Sequence, residues 1–330
     1  MTTIQQSIWQ SRILLEIRLS ASESRLYDHS APYAVTVPRL SYLPFFLPKL
    51  LKFYQEDVIA DIETLNAYEG QFSYEGVPLK WHLPIGLLYD IYVLTVQDVV
   101  SNEKEVLVGS EDNVRPFRLT VSFSPRDRED KHLLISPDPA IVHDSFINSV
   151  KEADFVRSGT AKPIMSLSAT ESKLLWTAVQ EHNLDIFAPI YQKLLPDNKP
   201  WRNIPLRIFL PSVPSTDEEV VGENADTNKT ATTPQGSIRV IQTQISPYVL
   251  SAATGASQLR AQSAGQGSRQ TLGTALHSIL PTLFPSRRTP ILAKPLLHGA
   301  ALPMNAVLEE VASQAAYADG WVNVVVAVNG

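Results

Sequence analysis

One succession of elements occurs twice in this chain, and it restricts the fold more than any single motif. Near the N-terminus, "RILLEIRLS" (12–20) and "YAVTVPRL" (33–40) are rich in β-branched and apolar residues and are separated by a polar turn. They predict two strands. "YLPFFLPKLLKFYQEDVIADI" (42–62) follows, with Leu50, Leu51, Phe53 and Tyr54 at helical spacing. Pro48 falls in its first turn, where a missing N–H costs little. "QFSYEG" and "VPLKW" predict two short strands meeting near Gly76, and Pro84 starts a helix, "PIGLLYDIYV". "PFRLTVSFS" (116–124) closes the series with Phe117, Leu119, Val121 and Phe123 on one face.

The order returns at the C-terminal end. "IPLRIFLP" (204–211) and "SIRVIQTQI" (237–245) predict strands, and "TLGTALHSILPTLF" (271–284) a helix with Leu272, Leu276, Ile279 and Leu280 inward. "PILAKPLLHGAALP" supplies short strands, "PMNAVLEEVASQAAYA" (303–318) a helix opened by Pro303, and "WVNVVVAV" (321–328) the closing strand. Gly76 and Pro84 are echoed by Gly299 and Pro303. Strand, strand, helix, short strands, short helix, strand is the ubiquitin-like β-grasp order. The expected class is therefore α+β, with two ubiquitin-like β-grasp domains.

Between them the pattern is helical. Asp138 and Pro139 form an N-cap and N1 pair for "AIVHDSFINSVKEADFVRSG", with Val142, Phe146, Val150 and Ala153 on one face. Ser168 and Glu171 form a capping box before a helical stretch that Pro189 should break or kink. The domain reading is an N-terminal helix over 1–11, a first ubiquitin-like domain over 12–136, a helix-rich domain over 137–202 and a second ubiquitin-like domain over 203–330. Two polar stretches, 213–236 and 250–270, cannot bury enough apolar area to offset their ordering entropy and read as surface insertions. "TTIQQSIWQ" reads as a short helix with Ile4 and Ile8 on one face, packed on its own domain rather than anchored in a membrane.

Composition removes several functions. Cysteine is absent, so a thiol nucleophile, a disulfide framework and a Cys-bearing zinc site are excluded. The net charge of −6 comes with no basic stripe, which argues against nucleic acid. No stretch approaches the roughly 18 apolar residues of a membrane span. "MTTIQQSIWQSRILLEIRLS" lacks the basic and apolar regions of a secretory signal, which leaves Asn228 and Thr230 an accidental sequon and fits a cytosolic protein. The histidines (29, 82, 132, 143, 182, 277 and 298) show no metal spacing. Gly255, Gly265 and Gly267 lack the strand-turn-helix context of a phosphate loop. No cofactor is expected. Trp81 and His82, in "YEGVPLKWHLPIGLLYD", are better read as a hinge of the fold than as a reactive pocket.

"PRLSYLP", "YEGVPLKWHLPIGLLYD" and "FINSVKEADFVRSG" resemble, closely and in the right order, the blocks of the autophagy protein five family. The resemblance covers nearly the whole chain except the two insertions. It implies two ubiquitin-like domains flanking a helix-rich domain, and a scaffold rather than a stand-alone enzyme. It implies that autophagy protein twelve, a ubiquitin-like modifier, is joined by an isopeptide bond to the lysine of the K-E-A-D block, here Lys151. It further implies binding of the N-terminal helix of autophagy protein sixteen and contact with E2-like conjugating enzymes. The assembly would act like an E3 ligase, promoting lipidation of autophagy protein eight. Its location would be cytoplasmic and peripheral on the preautophagosomal or isolation membrane. Two competing readings are a modifier activated at its own terminal Gly330 and a hydrolase using Trp81 or His82. Glu152 and Asp154 flank Lys151 and are expected to hold it as the ammonium.

Overall fold

The computed structural model describes residues 3–26, 30–95, 115–123, 138–196, 200–211, 238–249 and 268–328. Helix α1 (Thr3–Gln10) precedes a mixed five-stranded sheet. In it β1 (Arg12–Leu19) pairs antiparallel with β2 (Tyr33–Pro38) and parallel with the closing strand. Helix α2 (Leu47–Phe53), strands β3 (Gln71–Tyr74) and β4 (Val77–Pro78), helix α3 (Ile85–Tyr89) and strand β5 (Phe117–Ser122) complete the unit. The strand order is β2-β1-β5-β3-β4. Alternation decides the faces: Ile13, Leu15, Ile17 and Leu19 point into the core while Arg12 and Leu14 face out. Leu47, Leu50, Leu87 and Leu88 cover that face and are fully buried.

The helical unit comprises α4 (Pro139–Ser158), α5 (Lys162–Met165), α6 (Ala169–Gln180) and α7 (Leu184–Gln192). Asp138 caps α4 by accepting the Ala140 N–H at 2.7 Å, with Pro139 at the first helical position. Ser168 and Glu171 close the capping box at the start of α6. The second sheet follows with β6 (Ile204–Pro211) and β7 (Ile238–Ile245). A small ribbon, β8 (Tyr248–Val249) with β9 (Ser268–Arg269), leads into helix α8 (Leu272–Ile279). Strands β10 (Ala293–Leu297) and β11 (Ala300–Ala301), helix α9 (Leu308–Gln314) and strand β12 (Val322–Val328) end the chain's described part. Its order, β7-β6-β12-β10-β11, repeats the first sheet strand for strand.

The echo of Gly76 and Gly299 has a backbone cause. Each is the second residue of a two-residue hairpin turn with both φ positive: Glu75 and Gly76 at 48° and 82°, His298 and Gly299 at 52° and 82°. That turn matches the twist of its flanking strands and favours glycine at its second position.

Several expected helices are shorter than their periodicity. The 42–62 helix ends at Phe53, which is 46% exposed, not inward. Tyr54 turns into the core and donates its hydroxyl to Ile17 O at 2.6 Å. Residues 57–59 then bond back to 23–25, through Arg25 N–H to Asp57 O and Ile59 N–H to Glu23 O, so they cannot stay helical. Pro303 opens a turn, and α9 begins only at Leu308, because the carbonyls of Met304 and Ala306 accept from Gly273 and Leu272. Helix α8 stops ahead of Pro281, whose ring disfavours helical backbone in the preceding residue. The break between α6 and α7 lies at His182, with φ of 56°, and Asn183, which caps α7. Pro189 sits inside α7 and forfeits one backbone bond. The stretch read as an insertion over 250–270 is shorter than expected at its end: Ser268 and Arg269 are paired and Gln270 is buried. The rest of both insertions, and Gly330, lie outside the described residues.

Gly273 carries a testable packing demand. A Cβ there would stand 1.9 Å from Arg287 O. Alanine normally favours a helix over glycine by about 1 kcal/mol. Here Gly273→Ala should instead destabilise by about 1–3 kcal/mol in urea unfolding, because backbone must move. An unchanged or raised midpoint would refute that packing.

Candidate functional site

Helix α4 runs along the junction of the helical unit and the second sheet. Val142, Phe146, Val150 and Ala153 form its buried stripe, as its periodicity predicts. Lys151 lies at the edge of that stripe, partly exposed, with Phe155 one turn on and 54% exposed. Among the described residues Lys151 makes no ion pair.

That differs from the expectation that its acidic neighbours hold it. Asp154 points inward and is fully buried. It accepts the Ile164 N–H at 2.9 Å and faces Arg157 at 3.4 Å. Burial holds its carboxyl up at about 6, against the pull of Arg157 and that N–H. Glu152 is taken by Arg207 of β6 at 2.8 Å. The same guanidinium bonds Ser149 Oγ at 3.1 Å and Gln242 Oε1 at 3.2 Å, lies 3.7 Å from Asp319, and stacks 3.9 Å from the Trp321 ring centre. Ser149 closes the cluster, donating to Asp319 at 2.7 Å and accepting from the Trp321 indole N–H through its carbonyl at 3.0 Å.

The "KWH" stretch stands opposite. Lys80, Trp81 and His82 form a turn, closed by Leu83 N–H to Lys80 O, that leads into Pro84, the N-cap of α3. They line a cleft of about 530 Å³ together with Glu152, Arg207 and Asp319. The hinge reading of this turn is correct but incomplete, since it also walls the meeting point of all three units.

A second groove of about 550 Å³ runs between α1, α7 and α9, lined by Ile8, Trp9, Leu184, Phe187 and Ala316. Trp9, not Ile4, anchors α1: it is buried, stacks on His182 at 4.9 Å and tilts against Phe187 at 4.7 Å. His182 Nε2 also bonds Trp9 O. Helix α1 thus docks through Trp9 on the helical unit, and Gln5 donates to Ser313 O of the second unit at 3.5 Å.

The two sheets meet at a buried pair. Arg39 bonds Asp90 and Gly86 O, and its guanidinium packs against Gly299 of the second unit's hairpin turn, where a Cβ would stand 3.1 Å from both terminal nitrogens. His298 in that turn stacks on Tyr317 at 4.2 Å. Sequence reasoning missed Arg39, Asp90, Arg207 and Asp319. Their partners lie far along the chain, and no spacing rule links them.

These features define a class: proteins in which two ubiquitin-like folds are locked around a helical bundle. Family models for this class match in chain order: the Autophagy protein ATG5 UblA domain over residues 8–123, its alpha-helical bundle region over 139–197 and its UblB domain over 203–326. The chain belongs to the Autophagy protein 5 family, and its role is in autophagy. It is 46% identical over 340 residues to Autophagy protein 5 of Aspergillus clavatus, covering 100% of this chain and 98% of that one. Against the Coccidioides immitis protein it is 44% identical over 363 residues, with 100% and 98% covered. The crystal structure of Kluyveromyces marxianus Atg5 has the same fold at a TM-score of 0.68 and 17% identity, covering 98% of this chain and 99% of that one.

Proposed function

We propose that this chain is a conjugated scaffold, with Lys151 accepting autophagy protein twelve through an isopeptide bond. The observation that supports this reading is the state of Lys151: a partly exposed residue on a long capped helix, with both flanking carboxylates bound elsewhere. The amine must reach a thioester, and a fixed helix supplies position while the side chain supplies reach. The groove between α1, α7 and α9 fits the N-terminal helix of autophagy protein sixteen, read through apolar anchors on one helix face. The assembly, with its E2-like enzymes, then promotes lipidation of autophagy protein eight at the isolation membrane, where the chain sits peripherally and contributes no catalytic residue of its own. The domain limits proposed for these roles are 1–11, 12–136, 137–202 and 203–330.

The test is a denaturing gel of the protein from its own cells, followed by tryptic mapping of any band raised by the size of a modifier. The expected result is a branched peptide on Lys151. A branch on another lysine, or no covalent band under autophagy-inducing conditions, would overturn the assignment.

A further inference from the structure

We infer that Arg207 is a positioning residue for Lys151: by engaging Glu152 from the second sheet, it keeps a carboxylate away from the lysine amine. The inference rests on the reading of Lys151 as acceptor, but its physical content concerns how nucleophilic that amine is.

Side chains three and four residues apart are neighbours on a helix surface. For Lys151 these are Ile147, Asn148, Asp154 and Phe155, of which only Asp154 is charged. Asp154 is buried and bound to the Ile164 N–H and Arg157. Glu152, the adjacent residue, is the remaining acid within a turn, and its side chain is 55% exposed. Adjacent helix residues do not face each other, so the pair would meet only by both long side chains bending round the helix surface, which an unheld Glu152 is free to do. Arg207 holds it at 2.8 Å. Arg207 itself cannot swing away, because Gln242, Ser149, Asp319 and the Trp321 ring fix the guanidinium. Five planar donors and a stacking face suit arginine to this task, and the hold comes from a different unit of the protein. A carboxylate near an amine favours its charged form, and only the neutral amine attacks an acyl group.

The experiment uses the full-length chain and a probe that needs no conjugating enzyme: trace acetylation with acetic anhydride, read by peptide mapping at Lys151 relative to Lys173. Arg207→Gln should slow acetylation of Lys151 by about two- to fivefold, the size expected of one exposed ion pair. Adding Glu152→Gln to that variant should restore the rate. A clamp that merely fixed the helix would not be rescued, because the double variant still lacks it. If Arg207→Gln does not fold, Asn148→Glu supplies the complementary test: an unclamped carboxylate on the exposed neighbour of Lys151 should slow the same reaction. Unchanged rates in Arg207→Gln or Asn148→Glu, or an equally slow double variant, would overturn the inference. Failure of the acceptor reading would look different: the branched peptide would map to another lysine while the acetylation pattern held.

Discussion

Lys151→Arg should form no isopeptide conjugate in a reconstituted reaction with the modifier and its conjugating enzymes. It should unfold at the wild-type temperature and still bind a helical peptide from autophagy protein sixteen. Arginine keeps the charge and the helix propensity, but its guanidinium stays protonated and cannot act as the nucleophile. The stability expectation follows from the burial pattern: Val150 and Ala153 carry the packing of this turn, and the Lys151 amine makes no ion pair among the described residues. A lysine amine titrates near 10.4 in its unperturbed state, so it must lose a proton on attack. No side chain of this protein stands at the amine to take that proton among the described residues. The conjugating enzyme is therefore expected to supply the base, and Lys151 the position. A conjugate formed at wild-type yield by Lys151→Arg would end the assignment.

Arg39→Met should cost about 3–5 kcal/mol of stability near neutral pH, because it leaves the Asp90 carboxylate buried without its counter-charge. The double variant Arg39→Met with Asp90→Leu should recover most of that loss, since two apolar side chains replace two buried charges. The pH dependence follows from Asp90. Burial raises its carboxyl to about 6 from 3.8, against the pull of Arg39 and the Gly299 N–H. A native pKa above the unfolded one means the folded chain binds the proton more tightly, so this group's contribution falls as pH rises from about 4 to about 6. Without Arg39 the carboxyl rises further, and the penalty of Arg39→Met should be larger at pH 7 than at pH 5. Urea unfolding of both variants at the two pH values measures this. A penalty independent of pH would show that Asp90 is not the group left stranded.

Much of the fold was legible because it is local. The alternation in "RILLEIRLS" and "PFRLTVSFS", the Asp138 cap and the Ser168 and Glu171 box each name their own structure within a few residues. The lengths of α2 and α9 were not legible, since they are decided by backbone groups already bonded from afar. The backbone at 57–59 belongs to 23–25, and that at 304–306 to 272–273. Apolar spacing at 42–62 and 303–318 does not record such debts.

The sequence by itself determined that two copies of one strand and helix order flank a helical middle, and which residues form the buried stripe of α4. It also marked Lys151, through a block of residues rather than through any chemistry of its own. Only the tertiary structure decided what surrounds that lysine. Arg207 lies 55 residues from Glu152, and Arg39 lies 51 from Asp90. A charge in the sequence has no partner until the chain folds, because an ion pair depends on distance in space and on the water excluded around it. From the sequence, the acids beside Lys151 looked like its counter-ions; in the folded chain one is bound by the second sheet and the other is buried against its own helix.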